Sequence, residues 1–227
     1  MFYFDPTYLV ILPALIISMW AQFNVTSTFK KYSKVPSDNG MTGYDAARRI
    51  LDSNGLTNVD VIRTPGNLTD HYDPKANVIR LSDSVYGARS AAAVGVAAHE
   101  AGHAVQHATG YGPIKLRMAV IPVANLGSNL AMPLFFLGLI LAFPALCYLG
   151  IAFFCGAVFF QLVTLPVEFN ASSRALATLR NSRMQSETGL NAAKKVLSAA
   201  ALTYVAALFV SLANLLRLIL IANRRRD

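Results

Sequence analysis

The amino-acid sequence predicts a mainly α-helical membrane protein in which four transmembrane helices carry a small α+β domain. Three observations lead there. Hydrophobic residues make up 54% of the chain and charged residues only 14%, and the mean hydropathy is +0.43, more apolar than a single soluble domain carries. The apolar residues collect in three uncharged runs, 6–29, 118–167 and 196–216. Between the first two runs lies a mixed, turn-rich stretch of alternating period, the composition of a water-exposed domain.

In chain order, residues 6–29 hold no Asp, Glu, Lys or Arg and are long enough to cross a bilayer as helix 1. A secretory signal would need a basic leader and a small-residue cleavage site; Asp5 is the only charge before the run, so an uncleaved anchor is favoured. Lys30, Lys31 and Lys34 follow at once, as bases do at the cytoplasmic end of a span. Residues 30–117 form the exposed domain. Thr42 and Asp45 make a capping box for an amphipathic helix through Ala46, Ala47, Ile50 and Leu51, which Gly55 ends. Stretches 58–63, 68–72 and 77–81 have strand character and are separated by Pro65-Gly66 and by Asp73-Pro74-Lys75, which predicts a meander. A long alanine-rich helix follows at 90–108, stopped by Thr109-Gly110 and Pro113.

The run 118–167 is too long for one crossing. Fifty residues of helix would reach about 75 Å against a hydrocarbon core of about 30 Å, so the segment crosses, turns near 144–150 and returns as helices 2 and 3. Two crossings bring Glu168, and a helix and polar loop at 168–195, back to the face the chain left. Residues 196–222 are helix 4, with Arg217 able to snorkel. Cys147 and Cys155 lie in an apolar run without the spacing of a zinc knuckle and read as lipid- or core-facing thiols.

The chemistry is concentrated in Ala98-His99-Glu100-Ala101-Gly102-His103. On a helix, positions i and i+4 lie one turn apart on the same face, so His99 and His103 can offer two imidazole nitrogens to one tetrahedral Zn²⁺ while Glu100 stands beside it as a base. The bland alternative is a structural helix whose histidines bind nothing, but such side chains are costly among Ala97, Ala98 and Val105. A catalytic zinc needs a third protein ligand. His107 lies about 12 Å along a straight helix from His99, and Gln106 stands where a chain-turning glycine would have to be. Glu187 falls in a polar loop. Glu168 is therefore the candidate, its alternative being an interfacial carboxylate at the N-terminus of a new helix. Upstream, the strand at Asp70-His71-Tyr72-Asp73 could pair with an extended peptide, and His71 or Tyr72 could stabilise an oxyanion; the alternative is an ordinary turn.

Taken together, His71-Tyr72-Asp73-Pro74, the stretch Ala98-His99-Glu100-Ala101-Gly102-His103-Ala104-Val105-Gln106, Leu165-Pro166-Val167-Glu168-Phe169-Asn170-Ala171-Ser172 and the late run 200–207 resemble the YugP family of bacterial membrane neutral zinc metallopeptidases. The resemblance covers nearly the whole chain, and the order of zinc helix, membrane hairpin and glutamate helix is also similar to that of HtpX-type peptidases. It implies a zincin-like catalytic domain with a gluzincin-like site: His99, His103 and Glu168 as zinc ligands, Glu100 as general base, and peptide bonds as the bonds hydrolysed. HtpX-type enzymes carry Glu-x-x-x-Asp where this chain has Glu168 and Ser172, so any carboxylate orienting a zinc histidine must come from elsewhere, and Asn170 stands where YugP-like proteins are expected to carry Asp.

The net charge of +8 comes without any nucleic-acid-binding motif, so the expected partners are the lipid bilayer and a peptide or membrane-protein substrate, and not nucleic acid. Ten bases near the spans (Lys30, Lys31, Lys34, Lys115, Arg117, Arg174, Arg180, Arg183, Lys194, Lys195) share the catalytic side, against Arg224, Arg225 and Arg226 on the other. The positive-inside rule then predicts a bacterial multi-pass membrane protein with its active site in the cytoplasm. A catalytically silent zinc-binding scaffold or quality-control subunit is the rival function. Glu100 argues against it, because a scaffold needs ligands but has no use for a base. A transporter is disfavoured because 118–167 holds no intramembrane acid or base.

Overall fold

The computed structural model describes residues 6–224, so Arg225 and Arg226 of the terminal basic cluster lie outside the described residues. The chain is mostly helical, in the order α1 (Tyr8–Tyr32), a 3-10 turn (Asp38–Gly40), α2 (Gly43–Ser53), β1 (Asp60–Thr64), β2 (His71–Asp73), β3 (Val78–Ser82), α3 (Ala91–Ala108), α4 (Gly112–Ile140), α5 (Pro144–Asn181) and α6 (Glu187–Arg224). α1, α4, α5 and α6 are each long and apolar enough to cross a membrane. The described residues fall into two compact units, one of which holds residues 6–22, Lys115–Pro166 and residues 202–224, the other Phe23–Ile114 and Val167–Ala201.

The first unit is helical. Phe135, Cys147, Ile151, Leu218 and Ala222 form its buried cluster, while Leu9, Ile16, Trp20, Val123, Ile140 and Phe159 are exposed on its outside. Apolar surface on that scale suits hydrocarbon rather than water. Helix contacts rely on small residues, and a Cβ on Gly150 would lie 2.6 Å from the Ala131 carbonyl oxygen. Near the start of α1, Arg217 finds specific partners: its Nε donates to Thr7 Oγ1 at 3.3 Å and its guanidinium lies 4.2 Å from the centre of the Tyr8 ring. The hairpin turns at Leu141–Phe143, earlier than expected, with Ala142 at φ +51°. Pro144 does not sit in the turn but opens α5, where its missing N–H costs nothing.

The second unit holds the mixed structure. Thr42 caps α2 through Asp45 in the expected reciprocal box, and Ser90 caps α3 by accepting from the Ala93 N–H. The sheet is not the expected meander. Its order is β1-β3-β2, with β1 parallel and β2 antiparallel to β3. Val78, Ile79, Leu81 and Ser82 are buried, so β3 has both faces covered and takes the centre, and the three-residue β2 is left as a short edge. α3 is the central helix of this unit: Ala92, Ala93, Val94, Ala97, Ala98, Ala101 and Ala104 are buried against Leu51, Ile79, Leu81, Leu179 and Val196. Its small residues allow close approach by other helices, and a Cβ on Gly102 would lie 2.9 Å from the Ala171 carbonyl oxygen of α5.

Two helix boundaries also differ: Glu187 does not lie in a loop but opens α6, well before the uncharged run at 196. Glu168 does not begin a new helix; it lies inside α5, which runs through Pro166 without ending. Proline removes a single i→i−4 bond, and the turns on either side continue the ladder.

Candidate metal centre

Helical periodicity places His99 and His103 on one face of α3, and Glu168 faces them from α5. His99 Nε2 lies 3.1 Å from His103 Nε2 and 3.3 Å from Glu168 Oε2, and His103 Nε2 lies 3.4 Å from the same oxygen. These three edges test the fit to a metal. Ligands about 2.0–2.1 Å from a tetrahedral Zn²⁺ sit about 3.3–3.4 Å from one another, so this triangle matches one face of a zinc tetrahedron and leaves the fourth corner for water. The donor set of two imidazoles and a carboxylate also suits zinc. Among the described residues these are the three side chains grouped closely enough to hold an ion; His107 is exposed and stands apart.

Both histidines are backed at the other ring nitrogen. His99 Nδ1 is 3.1 Å from Ser172 Oγ, and His103 Nδ1 is 3.0 Å from Gln106 Oε1. These two groups orient the rings, and neither is a carboxylate. They are neutral and close in sequence, Ser172 one turn past Glu168 and Gln106 one turn past His103. Their spacing on the same helix faces was the available signal.

Burial and charge shape the titration. Desolvation pulls His103 down, but its bond to the Glu168 carboxylate and the charge of Glu100 outweigh it, leaving this imidazole above its ordinary value. A cation at Nε2 therefore competes with a proton. Glu100 is only 8% exposed. About 100° round the helix from His99, it lies on the side of α3 on which the Tyr72 ring of β2 stands 6.1 Å from the His107 ring. Asp70, just before β2, accepts from the Ser82 N–H at 2.7 Å and from its hydroxyl at 2.9 Å. Its burial, with a smaller contribution from the charge of Glu100, pushes its carboxyl up against those two bonds. His71 is exposed on β2, its Nδ1 2.9 Å from the Thr69 carbonyl oxygen and outside the three-residue group. Tyr72 donates its hydroxyl to Asn77 Oδ1.

Residues 7–223 match the family described as "Putative neutral zinc metallopeptidase". The chain belongs to this family. It is also 54% identical over 217 residues to the "Putative membrane protease YugP" of Bacillus subtilis (strain 168), an alignment covering 94% of this chain and 95% of that protein. No solved structure matches the chain. For this zinc metallopeptidase family member, the His99–His103–Glu168 triangle is the place in the described residues where the metal named by the family fits.

Proposed function

We propose that the protein is a membrane-embedded zinc peptidase whose second unit is a zincin-like catalytic domain that hydrolyses peptide bonds. The observation that carries this reading is the tetrahedral triangle of His99, His103 and Glu168 with the buried Glu100 next in sequence to the first ligand. Zinc held by these three residues would make a bound water acidic enough to deprotonate near neutral pH and would polarise the scissile carbonyl. Glu100 takes the proton from the attacking water as the oxygen–carbon bond forms, and it returns a proton to the amine nitrogen as the carbon–nitrogen bond breaks. Ser172 and Gln106 hold the two rings. The edge strand β2 flanks α3 and offers an edge to an extended peptide; Tyr72 turns its ring to α3, so the exposed His71 beside it points to the other face of the strand, and Tyr72 is the one of the two that we assign to the oxygen of the tetrahedral adduct. Substrates are peptides or membrane proteins. The basic residues near the spans favour a site on the cytoplasmic face of a bacterial membrane.

The test is Glu100→Gln. Gln is nearly isosteric and leaves His99 and His103 untouched, so the variant should keep zinc near one equivalent while peptidase activity falls by at least the roughly 10²–10⁴-fold that general-base assistance supplies. Loss of zinc would make Glu100 structural. Retention of both zinc and full activity would leave the scaffold reading in possession of the site.

A further inference from the structure

We propose that Gln106 is a positioning residue for the metal centre: clamped by α5, its carboxamide fixes the His103 ring in the tautomer that presents Nε2 as a lone pair. This deepens the zinc reading above and rests on it.

A carboxamide has two ends that only its partners can tell apart. Gln106 is fully buried. One end lies 2.9 Å from the Val167 carbonyl oxygen and 2.9 Å from Asn170 Oδ1, the other 3.0 Å from His103 Nδ1. A backbone carbonyl can only accept. Asn170 Oδ1 takes a 2.8 Å bond from Arg174 Nε, and because a guanidinium can only donate, the Asn170 atom at that point must be its oxygen. Both contacts therefore demand the NH₂ end of Gln106. Its oxygen is left for His103, whose Nδ1 must carry the hydrogen. The donors run in one direction, from Arg174 to Asn170 and from Gln106 to Asn170, and then from His103 to Gln106.

His99 has no such constraint, since the Ser172 hydroxyl can rotate to donate or accept. The directional information at this site enters through His103. Val167, Asn170 and Arg174 lie at successive turns of the helix that supplies Glu168, so one stretch of α5 provides the carboxylate ligand and also locks the ring opposite it. Partners of this kind are worth about 10–100-fold in metal affinity.

The experiment measures the zinc dissociation constant of the purified full chain by competition with a chromophoric chelator, together with the visible spectrum of the Co²⁺-loaded protein. The variants are Gln106→Met, Asn170→Leu and Asn170→Asp. Gln106→Met keeps the volume but has no oxygen for His103, and should weaken zinc about 10–100-fold and alter the cobalt bands. Asn170→Leu removes one of the two acceptors and should weaken zinc in the same direction. Asn170→Asp keeps an acceptor for both Gln106 and Arg174 and should restore wild-type affinity, which a merely space-filling role would not require. Should Gln106→Met fail to fold, the Asn170 pair carries the test. A wild-type chain that binds one zinc while Gln106→Met binds it equally well, or Asn170→Asp as damaging as Asn170→Leu, would overturn the proposal. A wild-type chain that binds no zinc would overturn the metal reading itself, and this role with it.

Discussion

Gly102→Ala offers a sharp test of how the centre is held, because helix propensity and packing pull in opposite directions. Alanine in place of glycine inside a helix stabilises by roughly 0.5–1 kcal/mol. Here, however, the new Cβ would lie 2.9 Å from the Ala171 carbonyl oxygen and 3.5 Å from that residue's carbonyl carbon. A backbone atom cannot swing aside, so α3 and α5 must separate by about 0.5 Å to restore van der Waals contact, at a packing cost of about 1–3 kcal/mol. The net loss of global stability should therefore be about 0–2.5 kcal/mol. The metal site has less tolerance. Ala171 sits between Glu168 and Ser172 on α5, and the same displacement would open the 3.3 and 3.4 Å edges from Glu168 to the two histidines towards about 3.8 Å, whereas zinc–ligand distances tolerate only about 0.2 Å. Zinc affinity measured by chelator competition should fall at least about tenfold, while the melting temperature of the zinc-free protein falls by about 0–10 °C. Gly112→Ala, whose added Cβ meets nothing within 4 Å, serves as the control. Wild-type zinc affinity in Gly102→Ala would refute the claim that the α3–α5 contact sets the ligand spacing.

Two further outcomes follow from charge. Asp70 is held above the ordinary carboxylate value of 3.8, so the folded state keeps its proton to higher pH than the unfolded chain does, and ionising the group costs stability as pH rises through that interval. Asp70→Asn can accept from the Ser82 N–H without that cost; it should melt above wild type at pH 7, with the gap closing as the pH falls towards 4, and a gap independent of pH would contradict the assignment. A reporter that fluoresces only in the cytoplasm should light up when inserted between α5 and α6, at 182–186, and stay dark at the C-terminus. The reverse pattern would place the catalytic face outside.

What could be read from the sequence divides along the range of the interactions. The spacing of His99 and His103 is local, set by one helical turn, and the capping pair Thr42–Asp45 is equally local. Glu168 lies far away in sequence, but an uncharged run of fixed length between it and the zinc helix left few places for it to be, and the structure groups it with the two histidines. Strand order was not legible. The short apolar pieces around Val61, Tyr72 and Ile79 announce strands, but which of them pairs with which is decided by burial of β3 on both faces, a nonlocal fact. The partners Ser172 and Gln106 were hidden for another reason. The residues that orient the histidines were left open, because whether a neutral hydroxyl or amide can reach an imidazole nitrogen depends on side-chain positions that residue types alone do not give. The end of the uncharged run misled in the opposite direction: a new helix was expected at Glu168, yet α5 carries on past it without a break.

The central claim is that one ion is held by His99, His103 and Glu168, and the most direct measurement is the metal content of the purified full-length protein beside Glu168→Ala and His107→Ala. Wild type and His107→Ala should each hold close to one zinc per chain, because His107 stands outside the ligand triangle, whereas Glu168→Ala should lose most of its metal. Full zinc in Glu168→Ala, or its loss in His107→Ala, would contradict the account.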